Sequence, residues 1–214
     1  MGALEIQFAT DSDFDQIYVF LDENFHDHAE PIQRAHKDKD VRMHPHKEFL
    51  KLCIESGMTL VGFIDDVLVG VLIAAKIHNR EHERNAEEAK MCDTQKSTDV
   101  LQFLSYIDEK ANYCNRLQIP ETLHMHIVSV HKNYQGRGIA RKLFEFCIEN
   151  GRQLKFRAVT VDCTNSYTAK IAAKLDFTLI SIVTYDEYNE HIGKNLFTPI
   201  APHTEIKSYA LMLE

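Results

Sequence analysis

The spacing of apolar and polar positions changes many times along the 214 residues, and each change predicts an element. Leu4 to Ala9 alternates as a short strand. Thr10, Asp11 and Ser12 are N-cap residues, and Phe14, Ile17, Phe20, Leu21 and Phe25 follow at helical spacing. From His26 to Met43 the pattern fails, which predicts a loop with a helical turn around Glu30-Pro31. Pro45 stands near the start of a helix striped by Phe49, Leu50, Cys53 and Ile54, and Gly57 ends it. The runs 58–64 and 67–77 flank Asp65-Asp66 and predict a hairpin. His78 to Ser97 is charged and aperiodic and reads as an exposed loop. Asp99 to Cys114 reads as a helix through Leu101, Phe103, Leu104, Ile107 and Ala111.

Beyond it, His124–Val130 is a strand, a glycine turn opens a helix to about Asn150-Gly151, and Ala158–Cys163 is the next strand. A short helix at 165–175, a strand at 177–185, a loop at 188–203 and a strand at 206–212 complete the reading. The order β-α-α-β-β-α-β-α-β-α-β-β is neither strictly alternating nor segregated. It predicts an α/β fold with a mixed sheet and helices on both faces. No internal repeat or second composition appears, so residues 1–214 are read as one domain.

Composition narrows the function classes. Hydrophobic residues make up 44%, enough for a core, and the net charge of -8 argues against a nucleic-acid surface. No apolar run approaches the roughly 18 residues of a membrane span. Met1 to Ile6 has no basic flank or apolar run of a signal peptide, and Ile6 argues against myristoylation of Gly2. Five scattered cysteines, never spaced C-x-x-C, fit reduced thiols and a cytoplasmic location. Among twelve histidines, His26/His28, His44/His46 and His124/His126 form H-x-H pairs. No cysteine stands at ligand spacing from them, so no metal is expected.

The run from Val128 to Leu143 carries most of the chemistry. A strand enters a polar turn, and Gly136 and Gly138 then open a helix. Unpaired N–H groups at such a helix start suit a phosphate or pyrophosphate, and glycine lets the backbone approach it. From His131 to Phe144 there is no acid, but Lys132, Arg137, Arg141 and Lys142 are present. A basic pocket on an acidic chain points to a bound polyanion. The alternative is a solvated helix face beside a tight turn. No Gly-Lys-Ser/Thr follows, as a P-loop requires, and the third glycine of a dinucleotide turn is missing.

Gln135-Gly136-Arg137-Gly138-Ile139-Ala140 resembles the Q/R-x-x-G-x-G/A signature of the GCN5-related N-acetyltransferases. That resemblance implies acetyl-CoA as co-substrate and a mostly antiparallel sheet of about seven strands. Four segments narrow it to the insect arylalkylamine N-acetyltransferases, which include dopamine N-acetyltransferases. They are Glu30-Pro31, Ser129–Tyr134, Cys163–Lys170 before Lys174-Leu175-Asp176-Phe177, and Phe197–His203 with its Pro-x-Ala-Pro-His element. Two positions depart. Asp176 stands where the family usually has Gly, tolerable if Asp takes a left-handed conformation. Ala172 stands where many members of the wider superfamily carry a tyrosine acid, which the insect subgroup generally lacks too.

Acetyl transfer needs an amine freed of its proton, a donor for the carbonyl oxygen, and a thiolate that leaves. The resemblance implies Glu30 as general base acting through ordered water, a role that spacing alone would not give it. His124 and His126 are the rival, since period two puts both imidazoles on one strand face and such a pair resembles that of vertebrate serotonin N-acetyltransferases. By the same resemblance, Thr164 and Thr168 occupy positions where the insect relatives have catalytically implicated serines. Thr164 is read chiefly as a cap of the next helix, and the role of Thr168 stays open. No feature marks Cys163 as a nucleophile, which favours direct attack.

For the co-substrate, the resemblance implies that the edge of Val128, Ser129 and Val130 pairs with the pantetheine arm. Gln135, Gly136, Arg137, Gly138, Ile139, Ala140 and Arg141 would hold the diphosphate. Asn165 would bond the pantetheine end, and Lys170 would approach the adenosine phosphates. Phe25, Tyr185 and Phe197 are candidates for the amine wall, though such side chains are more often core. The resulting expectation is a monomeric arylalkylamine N-acetyltransferase with no nucleic-acid or membrane partner. A polyamine or aliphatic-amine acetyltransferase and a non-catalytic acetyl-CoA-binding protein are the alternatives.

Overall fold

The computed structural model of the protein describes residues 2–26, 30–79 and 81–213, so His28 of the first histidine pair lies outside the described residues. Seven strands form a single sheet: β1 (Glu5–Phe8), β2 (Leu60–Ile64), β3 (Val67–His78), β4 (Glu121–Val130), β5 (Ala158–Cys163), β6 (Thr178–Thr184) and β7 (Glu205–Met212). The spatial order is β1-β2-β3-β4-β5-β7-β6, with β4 and β5 parallel and every other pair antiparallel. The β2–β3 hairpin turns on Asp65 (φ 50°) and Asp66 (φ 62°), both left-handed, as a two-residue turn matched to strand twist requires.

The helices are α1 (Phe14–Leu21), continued by a π-helical turn at Asp22–His26, then α2 (Pro31–Ala35), α3 (Lys47–Glu55) and α4 (Glu81–Ala89). After them come α5 (Gln95–Ala111), α6 (Tyr113–Leu117), α7 (Ile139–Gln153), α8 (Ser166–Lys174) and α9 (Tyr185–Ile192). Leu143, Phe144, Cys147 and Ile148 of α7 pack with Leu60, Leu72, Leu123 and Val159 of the sheet. A separate cluster joins Ile17, Phe20 and Leu21 of α1 and Leu50 and Cys53 of α3 to Val61, Val71 and Ile73. Alternation along β2, with Leu60 in one cluster and Val61 in the other, is what lets one sheet carry helices on both faces. Gly70 of β3 sets how close α7 comes: a Cβ there would lie 2.9 Å from Ile139 and 3.1 Å from Leu143. Asp176 takes the left-handed conformation, φ 61°.

Two stretches read as loops are helical. Residues 81–89 form α4, and its inward face is only Asn85 and Ala89, too polar and small to leave an apolar period. Arg84 ties the helix together through Glu81 and, at 2.5 Å, Glu88. Residues 185–192 form α9, which buries Tyr185 and Tyr188. Thr184 caps it by accepting from the Glu187 N–H at 3.0 Å, and Gly193 (φ 65°) ends it. Among the described residues, no helix is long and apolar enough to cross a membrane.

Candidate active site

The site begins where β4 leaves β5. The parallel pair is held only through Leu123, His124 and Met125, opposite Val159, Thr160 and Val161. On the other side, Ile127 faces Ile73 and Met125 faces Ala74, so His126 is an extra residue in the ladder, a β-bulge. The slip is visible in the packing. Leu123 and Met125 lie in the cluster under α7, and so do Val128 and Val130, whereas Ile127 joins the cluster of α1 and α3. Past the bulge, Val128, Ser129 and Val130 keep their β3 partners but have no strand partner on the β5 side among the described residues. That leaves main-chain groups free along one edge, except the Val130 carbonyl, which accepts from the Gln135 side-chain amide at 3.2 Å.

The edge runs into the glycine turn. Gly136 (φ 75°) and Gly138 (φ 79°) are both left-handed, and neither would meet an atom within 4 Å if given a Cβ. Gly138 is the N-cap of α7 and supplies no side-chain cap, while the first bond of the helix runs from the Lys142 N–H to the Gly138 carbonyl at 3.1 Å. The N–H groups of Ile139, Ala140 and Arg141 are thus left over from the helix ladder. The Arg137 guanidinium donates to the Asn133 carbonyl at 3.0 Å and lies 4.8 Å over the Tyr134 ring, and Arg141 pairs with Glu145 at 2.8 Å.

Beside this edge lies a cavity of about 650 Å³. Glu30, His124, His126, Thr164 and Thr168 line it together with Val128, Ser129 and Val130. Glu30 is the N-cap of α2 and only 8% exposed. Its carboxylate accepts the Ile32 N–H at 3.2 Å and the Thr164 hydroxyl at 3.3 Å. Burial outweighs both bonds and pushes its pKa up to about 7.

The imidazoles of His124 and His126 lie 4.7 Å apart, centroid to centroid. His124 meets the Thr160 hydroxyl at 2.9 Å and has Asp162 at 3.6 Å. Burial lowers the pKa of both rings. Asp162 opposes the shift at His124, and the neighbouring His124 adds to it at His126. Farther along the wall, α4 contributes Glu81, Arg84, Asn85 and Glu88. Asp108 of α5 also lines the cavity and accepts from the Asn85 amide at 2.5 Å. Burial, then the charges of Asp162 and Glu81, hold the Asp108 carboxyl well above its ordinary range. Sequence reasoning missed this acidic wall because α4 carries no hydrophobic period.

An open main-chain edge and a buried carboxyl line one cavity, and the edge leads along the chain into an uncapped helix start behind left-handed glycines. The Acetyltransferase (GNAT) family profile matches residues 15–177. The chain belongs to that family. Among solved structures, a Drosophila melanogaster polyamine N-acetyltransferase that forms N-acetylagmatine superposes with a TM-score of 0.88 at 26% identity, covering 99% of this chain and 100% of that one. An agmatine N-acetyltransferase gives 0.87 at 26% identity, with 98% and 99% covered. A mosquito arylalkylamine N-acetyltransferase-like protein gives 0.88 at 24% identity, with 99% and 100% covered. The fold expected from the glycine turn and the insect-type segments is therefore the fold observed.

As a GNAT protein, the chain distributes its expected site residues unevenly. Thr164 does not cap α8. Asn165 does, accepting the Tyr167 N–H at 2.8 Å, and Thr164 is turned to Glu30 instead. The preference for β-region Asn at an N-cap explains why the cap falls to Asn165. Phe25 lines the cavity. Tyr185 and Phe197, 0% and 1% exposed, pack with Phe103 and Tyr188 in an aromatic cluster behind that wall. Lys170 extends over the Tyr167 ring at 5.6 Å.

Proposed function

We propose that this GNAT protein transfers the acetyl group of acetyl-CoA to the primary amine of a small arylalkylamine, by direct attack in a ternary complex. One observation carries the reading. A carboxyl held near pKa 7 lines the same cavity as the unpaired edge of β4. Val128 to Val130 would pair with the amides of the pantetheine arm, and the N–H groups of 136–141 would receive the diphosphate. The side chains of Arg137 and Arg141 already have partners, so the main chain provides most of that binding.

In the reaction, the substrate ammonium gives a proton through water to the Glu30 carboxylate. The freed nitrogen lone pair attacks the thioester carbon, and the carbonyl oxygen takes the negative charge beside main-chain N–H groups of the open edge. The carbon–sulfur bond then breaks. The sulfur carries the electron pair away and takes the second nitrogen proton, which leaves an amide and a thiol. Glu30 suits the base role better than His126, because a base works best with a pKa near the working pH and burial holds His126 well below its ordinary value. Thr164 orients the carboxylate. Cys163 lines the cavity, but burial raises its thiol far above neutrality, which supports attack without an acyl-enzyme.

Phe25, Phe49 and Leu104 give the cavity an apolar wall for an aromatic ring. Asp108, Glu81 and Asp162 favour a second reading, in which the substrate is a diamine or polyamine whose far cation lies among these carboxylates. A steady-state panel of dopamine, tyramine, serotonin, agmatine and spermidine with acetyl-CoA separates the two. Higher kcat/KM for the aromatic amines upholds the first, and turnover confined to agmatine and spermidine replaces it with the second. Binding of coenzyme A without turnover of any amine would refute both.

A further inference from the structure

The wall that α4 gives the cavity holds a cation among its acids. Glu81, Arg84 and Glu88 are spaced three and four residues apart, so they share one face of the helix, and all three line the cavity. The guanidinium is used on every nitrogen. Nε donates to Glu81 at 2.9 Å, Nη2 donates to the same carboxylate, and Nη1 donates to Glu88 at 2.5 Å. None of the three is sealed in the core: the side chain of Arg84 is 34% exposed, that of Glu81 16% and that of Glu88 23%. Arg84 thus leaves the trio with one net negative charge where two bare carboxylates would carry two.

An ion-pair ladder that only stiffened its own helix would need no contact beyond it. Arg84 has one. Its guanidinium lies 5.1 Å over the ring of Phe49 on α3, and that ring meets His126 edge-on at 5.1 Å. Phe49 and His126 line the same cavity, so the Arg84 charge stands beside the space that the body of the amine must occupy. Its field reaches farther. Burial is the main influence on Asp108, His124 and His126, and the Arg84 charge acts on all three as well.

We infer that Arg84 is a specificity-determining residue for the amine: it neutralises the carboxylates of α4, stacks on Phe49, and opposes a second positive charge on the substrate. This deepens the proposed acetyltransferase reading and rests on it. Tyramine ends in an uncharged phenol and meets Phe49 and the apolar wall. Agmatine brings a second cation, which must either displace Arg84 from Glu81 and Glu88 or lie beside a like charge. Discrimination then comes from a repulsive group as much as from an attractive one.

The test is steady-state kinetics of Arg84→Met, Arg84→Lys and Glu88→Gln with acetyl-CoA, comparing agmatine with tyramine. The quantity read is the change from wild type in kcat/KM for each amine, or in 1/Ki for an amine that only inhibits. Methionine keeps an apolar stem over Phe49 and removes the charge. It should raise agmatine relative to tyramine about 10-fold or more. Lysine keeps the charge and should hold the relative value within about 3-fold of wild type. Glu88→Gln leaves the guanidinium less balanced and should lower agmatine relative to tyramine about 3-fold. A purely structural role of Arg84 in α4 would weaken both amines together. The inference is overturned if the relative value is unchanged in Arg84→Met, or if it rises as far in Arg84→Lys. If the methionine variant does not fold, Glu88→Gln decides, and a relative value that stays or rises there overturns the inference. Wild-type protein that turns over no amine brings down the acetyltransferase reading itself.

Discussion

The two halves of the proposed site are built in opposite ways. The co-substrate half is made by consecutive residues, β4 leading into the turn at Gly136 and Gly138 and then into α7. Its proposed binding groups are main-chain amides, so what matters is conformation. The amine half is assembled from α2, α4, α5, β4 and the end of β5, which bring together residues as far apart as Glu30 and Thr164. Its proposed working groups are side chains, so what matters is burial and charge. One half is specified locally and the other only by the tertiary fold.

If the halves are separable, a change at Glu30 should disturb chemistry without touching the co-substrate. Glu30→Gln keeps size and one acceptor but removes the base. It should lower kcat by about 10²- to 10⁴-fold, the usual worth of a general base, with the KM for acetyl-CoA unchanged. Loss of co-substrate binding in this variant, measured by calorimetric titration of coenzyme A, would show that the halves are not independent.

The converse change is Gly138→Val. At φ 79° a β-branched residue is strained, and the open space around Gly138 means that the cost is conformational rather than a clash. The side chain would also lie where a ligand approaches the backbone. A KM for acetyl-CoA raised about 10- to 100-fold is expected, since main-chain strain of 1–2 kcal/mol adds to the lost approach. The KM for the amine should stay put.

This division also explains what could be read from the chain. The strand, the glycines and the helix from Val128 to Leu143 announce themselves through period and turn chemistry. The bulge at His126 does not, because nothing in His124-Met125-His126-Ile127 marks where the β3 ladder slips by one residue. The raised pKa of Glu30 depends on what packs over it, and from spacing alone it was a loop acid. The cap of α8 fell to Asn165 and not to Thr164 because two adjacent capping residues are hard to rank from sequence. Tyr185 and Phe197 were read toward the cavity on residue type, and tertiary packing put them in the aromatic core behind it. The α4 wall was hidden most completely, since a helix held by Arg84 ion pairs and buried through Asn85 leaves no apolar trace.

That hidden wall gives a sharper comparison inside the amine half. Asp108→Asn removes one carboxylate from the cluster near Asp162 and Glu81. If the far end receives a second cation, the KM for agmatine should rise about 10-fold, within the range for a hydrogen bond to a charged group. The KM for tyramine should move little. Equal effects on both amines would mean that Asp108 shapes the wall without reading substrate charge.

The smallest expected effect is on stability, and it tests the feature on which the amine half depends. Burial lifts Glu30 from 4.5 to about 7. The folded chain therefore holds this proton more tightly than the unfolded chain does. Its stabilising contribution is complete below about pH 4.5 and is lost as pH rises to about 7. At 1.36 kcal/mol per unit, the loss is about 3 kcal/mol at most. Glutamine at this position does not titrate, so the lost Thr164 or Ile32 bond shifts its melting temperature by the same amount at every pH. The difference Tm(Glu30→Gln) minus Tm(wild type) should then climb by about 5 °C between pH 5 and pH 8, at 2–4 °C per kcal/mol for a chain of this length. A difference that stays flat means that Glu30 titrates as an exposed carboxylate. In that case its advantage over the His124/His126 pair disappears, and the rival base must be tested first.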